Sequence, residues 1–315
     1  MSSSTALQVS AADFALASLA LALAIGAIVA ARRNNNELHG WHAAASVVHA
    51  ISFCVMVWQS AAADAAYLPH VYTVLSRWQK VGGGACTDAD SQQCVVESSL
   101  SSGVDAPTFA LLAAFFAISA AAEAYYASTS DGMAGYVRWL EYAASAALQF
   151  FVINVALGNT EAFSASQASA AVAQLQLAGY CIEHEMRERG EHLDARFCWR
   201  LLAAAFCALF AAWVPVTYHF ARGIQRSGAG APWFVYVIYC VSLLLFSAFG
   251  VVMASHLHAT QRKRATQETR NKARKKAELQ YTILSFISKA AVAYVYWGGG
   301  AMRMRSNIQS VVVAS

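Results

Sequence analysis

Eight apolar blocks, each of about 18 to 26 residues, constrain what this chain can become more than any other feature. They run near residues 14–31, 41–60, 106–127, 136–157, 163–183, 198–221, 233–258 and 279–297. A helix needs about 20 predominantly apolar residues to cross a bilayer, so every block is long enough to span one. Only 4 prolines occur in 315 residues, which suits long unbroken helices, because proline breaks a helix interior. The chain is 58% hydrophobic and 13% charged, against about 25% charged for a soluble domain. That excludes an ordinary soluble enzyme, a disordered chain, a collagen and a disulfide scaffold. A net charge of +4 provides no concentrated basic face for nucleic acid. Trp41 and Trp58 bracket one block, and Trp139, Trp199, Trp233 and Trp297 sit near block ends, where an amphipathic indole prefers the interface. The expected class is an all-α, multi-pass membrane protein.

Lysines and arginines orient it. With the block at 41–60 counted as span one and the last as span seven, the leading flank and alternate connections hold 15 of the cations, including eight between Arg262 and Lys276; the opposite side holds 6. The positive-inside rule then puts the flank before Trp41 in the cytoplasm and the C-terminus outside. The basic run 261–276 is expected to be a topogenic loop, with binding of anionic lipid heads as the alternative.

Residues 1–40 read as a hydrophobic segment with a basic flank. Asp13 and no Lys or Arg precede the block at 14–31, unlike the charged start of a cleaved signal peptide. An extra N-terminal membrane helix is the expectation, with a removable targeting segment as the alternative. Residues 41–299 form the seven-span bundle, 61–105 a long external loop, and 300–315 a C-terminal tail. The loop carries Cys86 and Cys94, which can pair in an oxidising compartment. Cys54, Cys181, Cys198, Cys207 and Cys240 lack metal-ligand spacing and read as small buried hydrophobes.

Charges inside the bilayer cost roughly 2.5–3.5 kcal/mol each at its centre, so those present point to chemistry. Lys289 stands ten residues into span seven, about 15 Å deep at 1.5 Å per residue and close to the middle of a ~30 Å core. A buried lysine either pairs with a carboxylate for structure alone or condenses with an aldehyde as a Schiff base. Glu141, Glu123 and His49 all fall in the cytoplasmic halves of their spans, between the lysine and the basic side. Glu141 is the expected counterion, with a helix-start carboxylate facing the helix dipole as the plainer reading. Glu123 can instead snorkel to the interface, and His49 can be a packed core histidine. Ser285 precedes Lys289 by one turn on the same helix face and can hydrogen-bond the Schiff base.

These motifs resemble the heliorhodopsins. The resemblance rests on Arg138-Trp139-Leu140-Glu141-Tyr142 opening span three and Leu284-Ser285-Phe286-Ile287-Ser288-Lys289 in span seven. Val48-His49, Val214-Pro215 and Phe234-Val235-Tyr236 extend it. It implies all-trans-retinal on Lys289, Glu141 as counterion, Ser285 on the Schiff base, His49 in a polar cluster beside it, and an inverted topology that agrees with the charge count. It also implies a homodimer in the lipid bilayer. In one position the chain departs from the family, which commonly carries a second histidine where this sequence has Glu123. Phe246, Phe249, Trp213 and Tyr142 are candidates for lining a retinal slot, with plain helix packing as the alternative.

The function expected is light sensing through photoisomerisation and conformational signalling, without enzymatic activity. Its rival is a light-gated ion or proton channel using Glu123, Glu141 and His49. The external halves of the spans lack the carboxylates a pump would need.

Overall fold

The computed structural model describes residues 37–62, 70–71, 74–80, 94–100, 104–129, 135–189, 193–227, 231, 233–261 and 266–296. Among them are seven helices: α1 (Glu37–Ala62), α2 (Thr108–Ser128), α3 (Val137–Ala156), α4 (Ala162–Glu188), α5 (Ala195–Ser227), α6 (Trp233–Thr260) and α7 (Gln267–Val295). Each packs against its neighbours in sequence, and α7 also meets α1 and α3, closing the bundle. Contact between α5 and α6 is the sparsest of the sequential pairs.

Five of the seven are long and apolar enough to cross a membrane: α1, α2, α3, α5 and α6. Helices α4 and α7 fall short of that measure for visible reasons. Gln167, Gln174, Gln176 and a charged last turn dilute α4, and the first three turns of α7 are basic. The bundle is nevertheless inverted relative to a soluble one. Phe210, Val214, Leu244 and Val251 face outward, while Glu123, Arg138, Glu141, Glu183, Glu278 and Lys289 are buried. A surface of large apolar side chains around a polar interior suits lipid as the solvent, and the chain is an integral membrane protein.

Local signals explain the helix ends. The Glu161 carboxylate caps α4 by accepting from the Phe163 and Ser164 amides. The turn before it passes through Gly158 at φ +90°, a left-handed conformation that costs glycine little. Thr266 caps α7 through the Thr269 amide, and Glu268 pairs with Lys272 one turn on. That start corrects the expected boundary at 279 and the reading of 261–276 as loop: residues 267–276 are helix, continuous with the span. Pro215 lies inside α5 without ending it.

Two further expectations change. The loop 61–105 contains an antiparallel ribbon, with β1 (His70–Val71) pairing β4 (Val104–Asp105) and β2 (Val74–Lys80) pairing β3 (Cys94–Leu100). Of the five span cysteines only Cys198 is buried; Cys54, Cys181, Cys207 and Cys240 lie on the outer surface, where an apolar solvent tolerates a thiol. The N-terminal block at 14–31, the tail 300–315 and the Cys86 half of the Cys86/Cys94 pairing fall outside the described residues.

Candidate functional site

Lys289 on α7 and Glu141 on α3 meet in the bundle interior. The Lys289 Nζ donates to Glu141 Oε1 at 2.6 Å, and both side chains are almost wholly buried. Ser119 of α2 and Ser145 of α3 donate to the same oxygen at 2.7 and 2.9 Å. Three donors from three helices therefore fix one carboxylate oxygen. The Nζ also stands 5.4 Å from the centre of the Tyr142 ring. Ser285 is buried one turn from Lys289, and its Oγ has no hydrogen-bond partner among the described residues; nor has Glu141 Oε2.

An apolar slot opens beside the amine. A narrow cavity is lined by Tyr142, Ser145, Gln149, Gln176, Phe246, Phe249, Ser285 and Lys289. A second narrow cavity shares Gln176, Phe246 and Phe249 and continues between α4, α5 and α6 past Trp139, Gly179, Phe206 and Gly250. Of the four aromatics expected to line such a slot, Tyr142, Phe246 and Phe249 border it. Trp213 does not; it packs edge-on against Phe150 and Tyr239 in the core beyond. The donor set fits a long apolar aldehyde: one buried primary amine, one carboxylate, two unpartnered oxygens beside them and an aromatic slot leading away.

Toward the basic end lies a second buried pair. The His42 Nδ1 is 2.5 Å from Glu123 Oε2, with both groups nearly inaccessible. Glu123 therefore does not snorkel to the interface. Ser119, which bonds Glu141, stands one turn from Glu123 on α2, so a single helix face carries both polar centres. His49 is buried as expected, but its ring packs on Phe116 and Phe286 and neither nitrogen has a hydrogen-bond partner among the described residues. The imidazole beside Glu123 is that of His42, a residue the sequence reading passed over. It lies at the edge of the apolar block, and α1, which begins at Glu37, carries it into the bundle.

A third centre was likewise missed. Arg138 Nη2 donates to Glu183 Oε2 at 2.7 Å, and its Nη1 forms an ion pair with Glu278 Oε2 at 2.6 Å, joining α3, α4 and α7. Glu183 also accepts from Trp139 Nε1 at 2.6 Å and from Arg187 at 2.9 Å. The Arg138 guanidinium lies 4.7 Å from the centre of the Tyr281 ring. One sequence signal was available: an arginine inside an apolar block needs anions within reach.

The chain matches the heliorhodopsin family over residues 38–301. A search of curated proteins finds no match. Among solved structures it is similar to the crystal structure of the transmembrane domain and linker region of Salpingoeca rosetta rhodopsin phosphodiesterase. The TM-score is 0.57 at 12% identity, over 100% of this chain and 89% of that one. At that identity the likeness is one of fold.

Proposed function

The chain belongs to the heliorhodopsin family, and on that premise we propose a retinal photoreceptor in which Lys289 carries the chromophore and Glu141 balances its charge. The contact between Lys289 Nζ and Glu141 Oε1 carries this reading, because a buried cation needs an anion and this carboxylate touches it directly. Bound as a protonated Schiff base in its all-trans form, retinal supplies visible absorption and a change of shape on illumination. Ser119 and Ser145 hold the carboxylate against the lysine nitrogen, and Ser285 offers that nitrogen a further hydroxyl. Tyr142, Phe246 and Phe249 exclude water from the slot. A proton leaving the nitrogen meets Glu141 first, and the His42–Glu123 pair is the next buried store toward the basic end. Trp139 and Tyr281, packed edge to face beside the Arg138 centre, pass movement in the slot to that end of the bundle.

The output is conformational signalling rather than catalysis or transport. Glu123, the carboxylate that suggests a channel, is occupied by His42, and Glu183 by Arg138, Trp139 and Arg187. Both carboxylates are committed to these partners, although Glu183 also borders a cleft at the basic end. The basic end faces the cytoplasm and the C-terminus lies outside, by the distribution of cations. A homodimer in the bilayer completes the proposed assembly.

Reconstitution tests the reading. Adding all-trans-retinal to the expressed chain should produce a visible band that Lys289→Ala abolishes. No band, or one that survives the substitution, overturns it. Patch-clamp recording under illumination should show no photocurrent; a current lost in Glu123→Gln would establish the channel instead.

A further inference from the structure

The cytoplasmic-side extension of α7 turns the basic run into a surface with two faces. Lys272, Lys275 and Lys276 are exposed, whereas Arg270 and Arg274, one turn apart, are half-buried and line a cleft of about 430 Å³ that opens to solvent at the basic end. Arg187 of α4 lines the same cleft, its guanidinium 4.7 Å from the Tyr136 ring centre. His256 and Thr260 of α6 and Asn271 of α7 complete the polar wall. Three guanidiniums from two helices thus border one open volume. Two carboxylates, Glu183 and Glu188, also border it. Glu183 is engaged at the floor by Arg138 and Trp139 as well as by Arg187, and Glu188 accepts from the Tyr136 hydroxyl at 3.3 Å. Glu278, below the cleft on α7, is ion-paired with Arg138. Among the described residues, four arginines and three carboxylates border or underlie the cleft.

We propose that this cleft binds a phosphate-class dianion, as inorganic phosphate, a soluble phosphomonoester or the phosphorylated headgroup of a lipid. Guanidinium forks match phosphate oxygens bidentately, which lysine cannot do, and the half-buried groups of α7 are arginines while its exposed ones are mostly lysines. Asn271 supplies a neutral donor at the same wall, whereas the Thr260 hydroxyl donates to the His256 carbonyl. A hydrogen bond joins the cleft to the chromophore slot, because Glu183 borders the cleft and Trp139, which donates to it, borders the slot. Occupancy of one then biases the other, in both directions. The site itself does not depend on the chromophore reading.

Calorimetric titration of the purified full chain in detergent with inorganic phosphate, at constant ionic strength, tests the site. One saturable event is expected, with Kd raised at least about tenfold, the equivalent of about 1.4 kcal/mol, in Arg270→Gln/Arg274→Gln. Arg274→Lys, which keeps the charge and loses the fork, should weaken binding less, and exposed Lys275→Gln should leave it unchanged. A second arm compares lipid nanodiscs of phosphatidylcholine with and without phosphatidylinositol phosphate. Response to phosphate in micelles identifies a soluble ligand; response to the phosphoinositide alone, with the same dependence on Arg270 and Arg274, identifies a headgroup. Absence of saturable binding in both arms overturns the proposal, and so does an equal loss in Lys275→Gln.

Discussion

His42 Nδ1 and Glu123 Oε2 lie 2.5 Å apart in the bundle interior, joining α1 to α2 one helical turn from the serine that holds the Lys289 counterion. The pair joins an imidazole to a carboxylate, whereas two imidazoles in its place would be neutral when unprotonated. The His42–Glu123 pair carries one more negative charge when both groups are unprotonated, which changes what a proton released nearby encounters.

The two histidines of α1 should therefore behave differently. Replacing His42 by Phe leaves the Glu123 carboxylate buried without its partner, at a cost of about 3 kcal/mol. His49→Phe gives up no hydrogen bond among the described residues and keeps the contacts with Phe116 and Phe286, so its cost should stay below about 1 kcal/mol. Thermal unfolding of the two variants in the same detergent checks the order; equal losses would remove the His42–Glu123 pair from its special place. In the reconstituted pigment, flash photolysis should show altered proton return for His42→Phe only.

Glu141→Gln should move the visible band strongly to longer wavelength. Removing the counterion lowers the gap between ground and excited states of a cationic chromophore, and Glu141 is the only carboxylate among the described residues that contacts Lys289 directly. The absorption spectrum of the purified variant decides it, and an unshifted band would transfer the counterion role elsewhere.

Arg138→Gln should destabilise the protein by about 3–5 kcal/mol, because Glu183 and Glu278 would remain buried with their shared cation gone. The combined change with Glu278→Gln should recover part of that loss. Thermal midpoints of the single and double variants measure the coupling; strictly additive losses would contradict a shared ion cluster.

Glycines in the helices predict a contrast. A Cβ at Gly179 would stand 2.5 Å from the Trp139 ring, so Gly179→Ala must displace the indole that donates to Glu183 and borders the slot. A loss of about 1–3 kcal/mol and a shifted chromophore band are expected. Gly223→Ala meets nothing within 4 Å inside α5 and should stabilise by about 0.5–1 kcal/mol through helix propensity. Parallel unfolding and absorption measurements on both variants test the difference.

Reading along the chain reached the membrane class, the seven-helix bundle and the positions of Lys289, Glu141 and Ser285 on facing helices. It passed over His42 and missed the Arg138 centre and the helical course of 267–276. His42 stands next to the start of the apolar block at Trp41, whereas α1 already begins at Glu37 and places it more than one turn inside the helix. The start of α7 was lost because hydropathy alone cannot tell a basic helix from a basic loop, although Thr266 and the Glu268–Lys272 pair were signals that it could form.

What the sequence by itself determined is what the bilayer imposes locally. Block length, the side that carries the cations and the depth of a lone lysine each depend on counting along one segment, and lipid penalises violations strongly enough to make the count reliable. Which buried groups touch was decided only by the tertiary structure. Each residue along a helix turns its side chain by about 100°, so an end misplaced by two residues points a side chain to the opposite wall. The union of His42 with Glu123, the sharing of Arg138 by Glu183 and Glu278, and the cleft beside Arg270 and Arg274 all depend on that rotation and on how helices from distant parts of the chain sit against one another.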